Sequence, residues 1–170
     1  LAVGPCKSKF STTEHVNPAQ VVRFTCGMLL ILLSLVSPLH ILSDTYLFSA
    51  HMVQHVLITI VAPPLIISGI PSWIIQPILC KNRITIRVFK ILLHPLIAFL
   101  TFNFIFALWH IPQLYDASLR FHGIHVFEHI SFMLCALMMW WPLMSSISAF
   151  PRLSYPMQII YLFFLSIAQI

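Results

Sequence analysis

The sequence predicts an all-α fold: a polytopic transmembrane helix bundle with four complete spans and a truncated fifth. Three observations carry that expectation. Hydrophobic residues make up 59% of the chain and charged residues 8%, a balance that soluble domains do not show. Apolar stretches recur at close to the ~20-residue length a helix needs to cross the hydrocarbon core. The formal net charge of +5 is sorted by loop rather than spread along the chain, as a topology signal is.

Residues 1–20 read as a polar amino-terminal segment and residues 21–170 as the transmembrane helical domain. The first span covers about residues 21–39. The second, about 48–70, contains Pro63 and Pro64, which remove backbone donors, so neighbouring helices must cover the freed carbonyls. The third span, about 91–109, follows a basic stretch with Lys81, Arg83, Arg87 and Lys90. The fourth, about 123–144, ends beside Trp140 and Trp141 and precedes Arg152. The fifth, about 155–170, has about 16 residues at ~1.5 Å each, short of a full crossing. The chain therefore reads as a fragment, as does its start, since Leu1 is not an initiator methionine and LAVGPCKSKF lacks the parts of a signal peptide.

If the spans alternate, Lys7, Lys9, Arg23, Lys81, Arg83, Arg87, Lys90 and Arg152 share one side and only Arg120 lies on the other. The basic side is the cytoplasmic one. The loops 71–90 and 145–154 then face inward, and 39–47 and 110–122 face outward. Trp73, Trp140 and Trp141 fall at inner span ends and Trp109 at an outer end, as headgroup-level indoles do. The basic excess is thus explained without nucleic acid. Cys6, Cys26, Cys80 and Cys135 form no C-x-x-C pair, which leaves no support for a disulfide framework or a zinc ribbon. There is no internal repeat, phosphate-binding loop or nucleophile motif.

Seven of the nine histidines cluster at the outer side. His40 follows the first span, His51 and His55 open the second, His110 closes the third, and His122, His125 and His129 open the fourth. Residues three, four or seven apart share a helical face. HMVQH therefore presents one imidazole pair, and HGIHVFEH a longer stripe with Glu128 on its flank. Two such helices in a bundle can hold a metal between them, with Gln54 and Glu128 available as hydrogen-bonding partners behind the ligands. A single histidine near an interface reads more simply as hydrogen-bonded to a carbonyl or water, and that suits His15, His40 and His94. The two H-x-x-x-H pairs point to metal or cofactor ligation, because burying several imidazoles and a carboxylate near lipid is costly without it. Asp44, four positions after His40, is an additional candidate, while Asp116 reads as a loop or helix-end residue. Met52, Met133, Met138, Met139 and Cys135 read as core packing. Spacing alone leaves copper, zinc, iron and nickel open, and also haem held by facing histidines.

The run SPLHILSDTYLFSAHMVQHVLITIVAPPLIISGIP (37–71), with LWHIPQLYDASLRFHGIHVFEHISFMLCALMMWWP (108–142), resembles the CtaG family of membrane proteins that assist assembly of caa-type cytochrome c oxidases. The resemblance spans the first four helices. It implies a non-enzymatic, multi-pass protein of the bacterial plasma (inner) membrane, linked to copper supply, whose partners are oxidase subunits or their copper chaperones and the lipid bilayer. Carried over by position, the family's histidines fall on His51, His55, His110, His125 and His129. His122 and Glu128 fall at places that vary, and with Asp44 they are possible additional ligands. The expected function is capture and delivery of copper at a mostly imidazole site partly open to water. The alternatives are a bis-histidine haem cytochrome, a di-iron membrane oxygenase, and a scaffold without metal.

Overall fold

The computed structural model describes residues 16–37 and 48–168, which among them form helices and no strand. Helix α1 (Pro18–Val36) starts where Asn17 and Gln20 form a reciprocal cap: Asn17 Oδ1 accepts from the Ala19 N–H at 2.9 Å, and Gln20 Oε1 accepts from the Asn17 N–H at 3.3 Å. Pro18 supplies the first-turn φ without losing a needed donor. The helix stops at Ser37, whose backbone is extended as suits a residue before Pro38.

The second span runs as α2 (Phe48–Val56), a π-turn (Leu57–Val61) and α3 (Ala62–Gly69). Ala62 N–H bonds Leu57 O, five residues back, so the widened turn lies just ahead of Pro63 and Pro64. The carbonyl of Thr59, four residues before Pro63, receives the Trp140 indole N–H at 2.9 Å instead. The sequence foresaw a covered carbonyl, but it placed Trp140 at the headgroup level. Here the indole is an interhelical clasp between the second and fourth spans, as membrane helices with proline require.

Beyond α3 come α4 (Ser72–Leu79), α5 (Arg83–Leu92), α6 (Pro95–Trp109), α7 (Pro112–Arg120), α8 (His122–Met144) and α9 (Tyr155–Ile167). Three helices among the described residues are long and apolar enough to cross a membrane: Pro18–Val36, Ser49–Gly69 and His122–Met144. A fourth crossing exists only if α5 and α6, bent by 61°, count as one. This corrects the expected four complete spans and partial fifth. The physical cause is His94, whose extended backbone precedes Pro95 and splits the expected third span. Residues 91 and 92 belong instead to a basic amphipathic helix. Alone, α6 has 15 residues, about 22 Å of rise, and α9 has 13, so neither matches a typical crossing.

Helix α1 lies against α3, while α8 packs on α3, the π-turn, α6 and α7. Phe102, Cys135, Ala136, Met139, Leu143, Tyr161 and Leu165 form the main core, in agreement with the packing role expected for Met139 and Cys135. At the opposite end from the histidines, Leu79, Ile147, Ala149 and Phe150 make a second cluster.

Two glycines set the α1–α3 approach. A Cβ on Gly69 would meet the Phe24 backbone, with Cα at 2.7 Å, whereas a Cβ on Gly27 would first meet the movable Ile66 Cγ1 at 2.7 Å. Small residues at such crossings let membrane helices touch closely. Gly69→Ala is therefore expected to destabilise the protein by about 1–3 kcal/mol, and Gly27→Ala by less. Thermal melts of both variants in one detergent measure the difference.

Candidate metal centre

Four imidazoles meet between α2 and α8. His51 and His55 project from one face of α2, one turn apart, with ring centroids 4.2 Å from each other. His125 and His129 repeat that spacing on α8 at 4.4 Å. The pairs face each other in register: His51 lies 6.1 Å from His125 and His55 lies 5.5 Å from His129. The i, i+4 pattern of each helix supplies half of the pocket.

Glu128 completes it. Its Oε1 lies 3.8 Å from His55 Nε2, and one ligand atom each from His51, His55 and Glu128 fall within 4.8 Å of one another. The sequence places Glu128 on the flank of the stripe, a possible rather than a central ligand. In the bundle that flank is also interior, because α8 is packed on several sides.

Burial separates the predicted residues into two groups. His51, His55, His125, His129 and Glu128 are 2%, 4%, 3%, 7% and 1% exposed, so the cluster is closed rather than partly open to water. His110 and His122 are exposed. His110 Nδ1 lies 2.6 Å from Phe106 O; since a carbonyl only accepts, Nδ1 is the donor. Its ring rests on Phe106 at 4.2 Å, outside the three-residue group. His122 joins His125 and His129 along a cavity of about 170 Å³ whose other wall includes Ile31, Leu35 and Ile58. His94 is exposed at the start of α6. Asp44, His40 and His15 lie outside the described residues.

Residues around the cluster hold it in place. Gln54, fully buried, donates Nε2–H to Ser34 O of α1 at 3.0 Å and so pins α2 to the first span. Thr59 donates its hydroxyl to His55 O at 2.7 Å where the π-turn loosens the helix. Phe132 packs edge-on to His55 at 4.7 Å. Ser131 Oγ donates to Glu128 O at 2.7 Å and accepts from Trp109 Nε1 at 2.8 Å, so the third span braces the backbone that carries Glu128.

Tyr115 was not picked out from the sequence. Helix α7, which begins at Pro112 in the outward loop, carries it edge-on to His51 at 5.7 Å. The available signal was Pro112 itself, a residue suited to a first helical turn. Burial, helped by the Glu128 and Asp116 carboxylates, pushes the phenol above its usual range. Tyr115 therefore stays a neutral phenol beside the site.

The donor set fits a bound transition metal. Neither His55 ring nitrogen has a hydrogen bond among the described residues, although the side chain is buried, and such orphaned groups are costly unless something satisfies them. Imidazole with one carboxylate suits copper, zinc or iron. No described cysteine belongs to the cluster.

No curated protein and no solved structure matched the chain. A family described as cytochrome c oxidase caa3 assembly factor matched residues 1–170. With its histidine-bearing spans and all-helical, membrane-compatible fold, the chain belongs to the cytochrome c oxidase caa3 assembly factor family.

Proposed function

We propose that this membrane protein serves oxidase assembly by capturing copper between α2 and α8 and passing it on to the oxidase or to a copper chaperone. The observation that carries the reading is the convergence of four imidazoles and Glu128, drawn from two spans, with the His51, His55 and Glu128 ligand atoms within 4.8 Å of one another. His51, His55 and Glu128 would hold the ion, with His125 and His129 facing them. Copper bound there would supply cargo rather than catalysis. His110 and His122 would act at the rim. With the basic segments in the cytoplasm of a bacterium, the closed cluster lies toward the outer face of the plasma membrane.

Haem fits less well. A macrocycle needs far more room than the cavity of about 170 Å³ beside His122, His125 and His129. A colourless protein purified with haem supplied, and no Soret band, is the expected result.

The test is copper content and oxidase activity together. The purified full-length protein is expected to take up copper, and cells carrying His51→Ala with His125→Ala are expected to lose oxidase activity. A protein that takes up no copper, in cells whose doubly substituted version leaves oxidase normal, ends this reading.

A further inference from the structure

Helix α5 raises a separate question, independent of any metal. It has no buried residue, yet it joins the start of a membrane span. At 100° per residue, Arg83, Arg87 and Lys90 fall within about 60° of one another, and Ile84, Val88 and Ile91 occupy the adjoining sector. The cations are exposed, and so are the apolar three, at 74%, 45% and 57%. Phe89 turns the other way, packing on the Leu79–Phe150 cluster. Contact with the protein therefore uses neither the basic face nor the apolar one. Asn82 fixes where the helix starts, accepting from the Thr85 N–H at 2.7 Å and from its hydroxyl at 2.9 Å.

The charges have no acidic counterpart in the chain's described part. The described acidic residues are Asp116 and Glu128, both at the other end of the bundle. Lys81, just before the helix, adds a further exposed cation. With α6 set along the membrane normal, the 61° bend between α5 and α6 lays α5 nearer the membrane plane. In that attitude the Ile84, Val88 and Ile91 stripe meets acyl chains, and the basic sector meets the layer of phosphates, as in-plane amphipathic helices do. The stems of the arginines and lysine cover apolar surface while their heads reach that layer.

From this juxtaposition we infer that α5 is a lipid-reading helix that recruits anionic phospholipid headgroups to the basic side of the bundle. The ligand is a phosphodiester lipid bearing net negative charge. Arg83 and Arg87 can hold its phosphate oxygens with paired N–H groups, and Lys90 adds a point charge. The apolar stripe distinguishes a lipid from a soluble acidic protein, which would leave Ile84 and Ile91 in water.

The experiment uses the full chain in nanodiscs of equal phosphatidylglycerol and phosphatidylcholine, with retained lipids counted by native mass spectrometry. The wild type is expected to keep phosphatidylglycerol preferentially. Arg83→Gln with Arg87→Gln and Lys90→Gln should lower that preference at least about fivefold, with an unchanged thermal melt because these side chains are exposed. Arg152→Gln, which removes another cation on the same side, should leave it unchanged. Excess inorganic phosphate should have no effect beyond that of equal ionic strength. The proposal is overturned by no preference in the wild type, by an undiminished preference in the triple variant, or by equal loss with Arg152→Gln. It is also overturned if free phosphate displaces the lipid, or if a polyglutamate peptide displaces phosphatidylglycerol from this face in the mixed discs.

Discussion

Replacing His55 by alanine is expected to abolish copper retention, with affinity falling by more than the roughly 10–100-fold typical of losing a partner behind a ligand. His110→Ala should cost less than about tenfold. The contrast follows from position. His55 lies 4.2 Å from His51, 5.5 Å from His129 and 3.8 Å from Glu128, so it contacts three of the four other members of the cluster. His110 is exposed and tied to its own helix through Phe106. The resemblance to the family gives the two histidines equal standing, and only packing separates them. Equilibrium copper competition against a chelator, run on both variants and the wild type, reads the difference directly. Because His55→Ala also leaves a space beside Phe132, His55→Gln should accompany it, and it should lose copper while melting close to the wild type.

Glu128→Gln is expected to move stability and metal binding in opposite directions. A carboxylate 1% exposed among imidazoles costs the apo fold desolvation that a neutral amide of the same shape avoids, so the metal-free protein should hold its stability or gain on the order of 1 kcal/mol. Copper affinity should fall by about 10–100-fold, since the amide brings no charge to the cation. A purely structural role predicts the reverse, a destabilised protein and no binding change. Thermal melts with and without copper check both halves: the variant should melt at or above the wild type without metal and gain less from it.

The imidazole pairs were legible because helical periodicity is local: His51 with His55 and His125 with His129 share a face whatever surrounds them. Their meeting across two spans was an inference from sidedness, and the ring distances agree with it. Glu128 reads as a flanking residue because it sits about 100° round the helix from His129, and sequence alone does not say how wide the buried arc of α8 is. Tyr115 and Trp140 were missed as neighbours of the site and of the proline break for a related reason. Both act across long separations, Trp140 on Thr59 and Tyr115 on His51. The third span reads as one continuous helix because an apolar run conceals the helix break at His94. Residues 91 and 92 are as greasy as those after Pro95, but they belong to α5, where the apolar stripe adjoins basic side chains.

The central claim is that imidazoles from two different membrane-crossing helices share one metal ion. X-ray absorption spectroscopy of the copper-loaded, full-length protein tests it most directly. The expected spectrum has a nitrogen or oxygen shell near ~2.0 Å with the multiple-scattering pattern of several imidazoles, and that pattern weakens both in His55→Gln on α2 and in His129→Gln on α8. A shell dominated by sulfur, or an imidazole pattern left intact by either substitution, would contradict it.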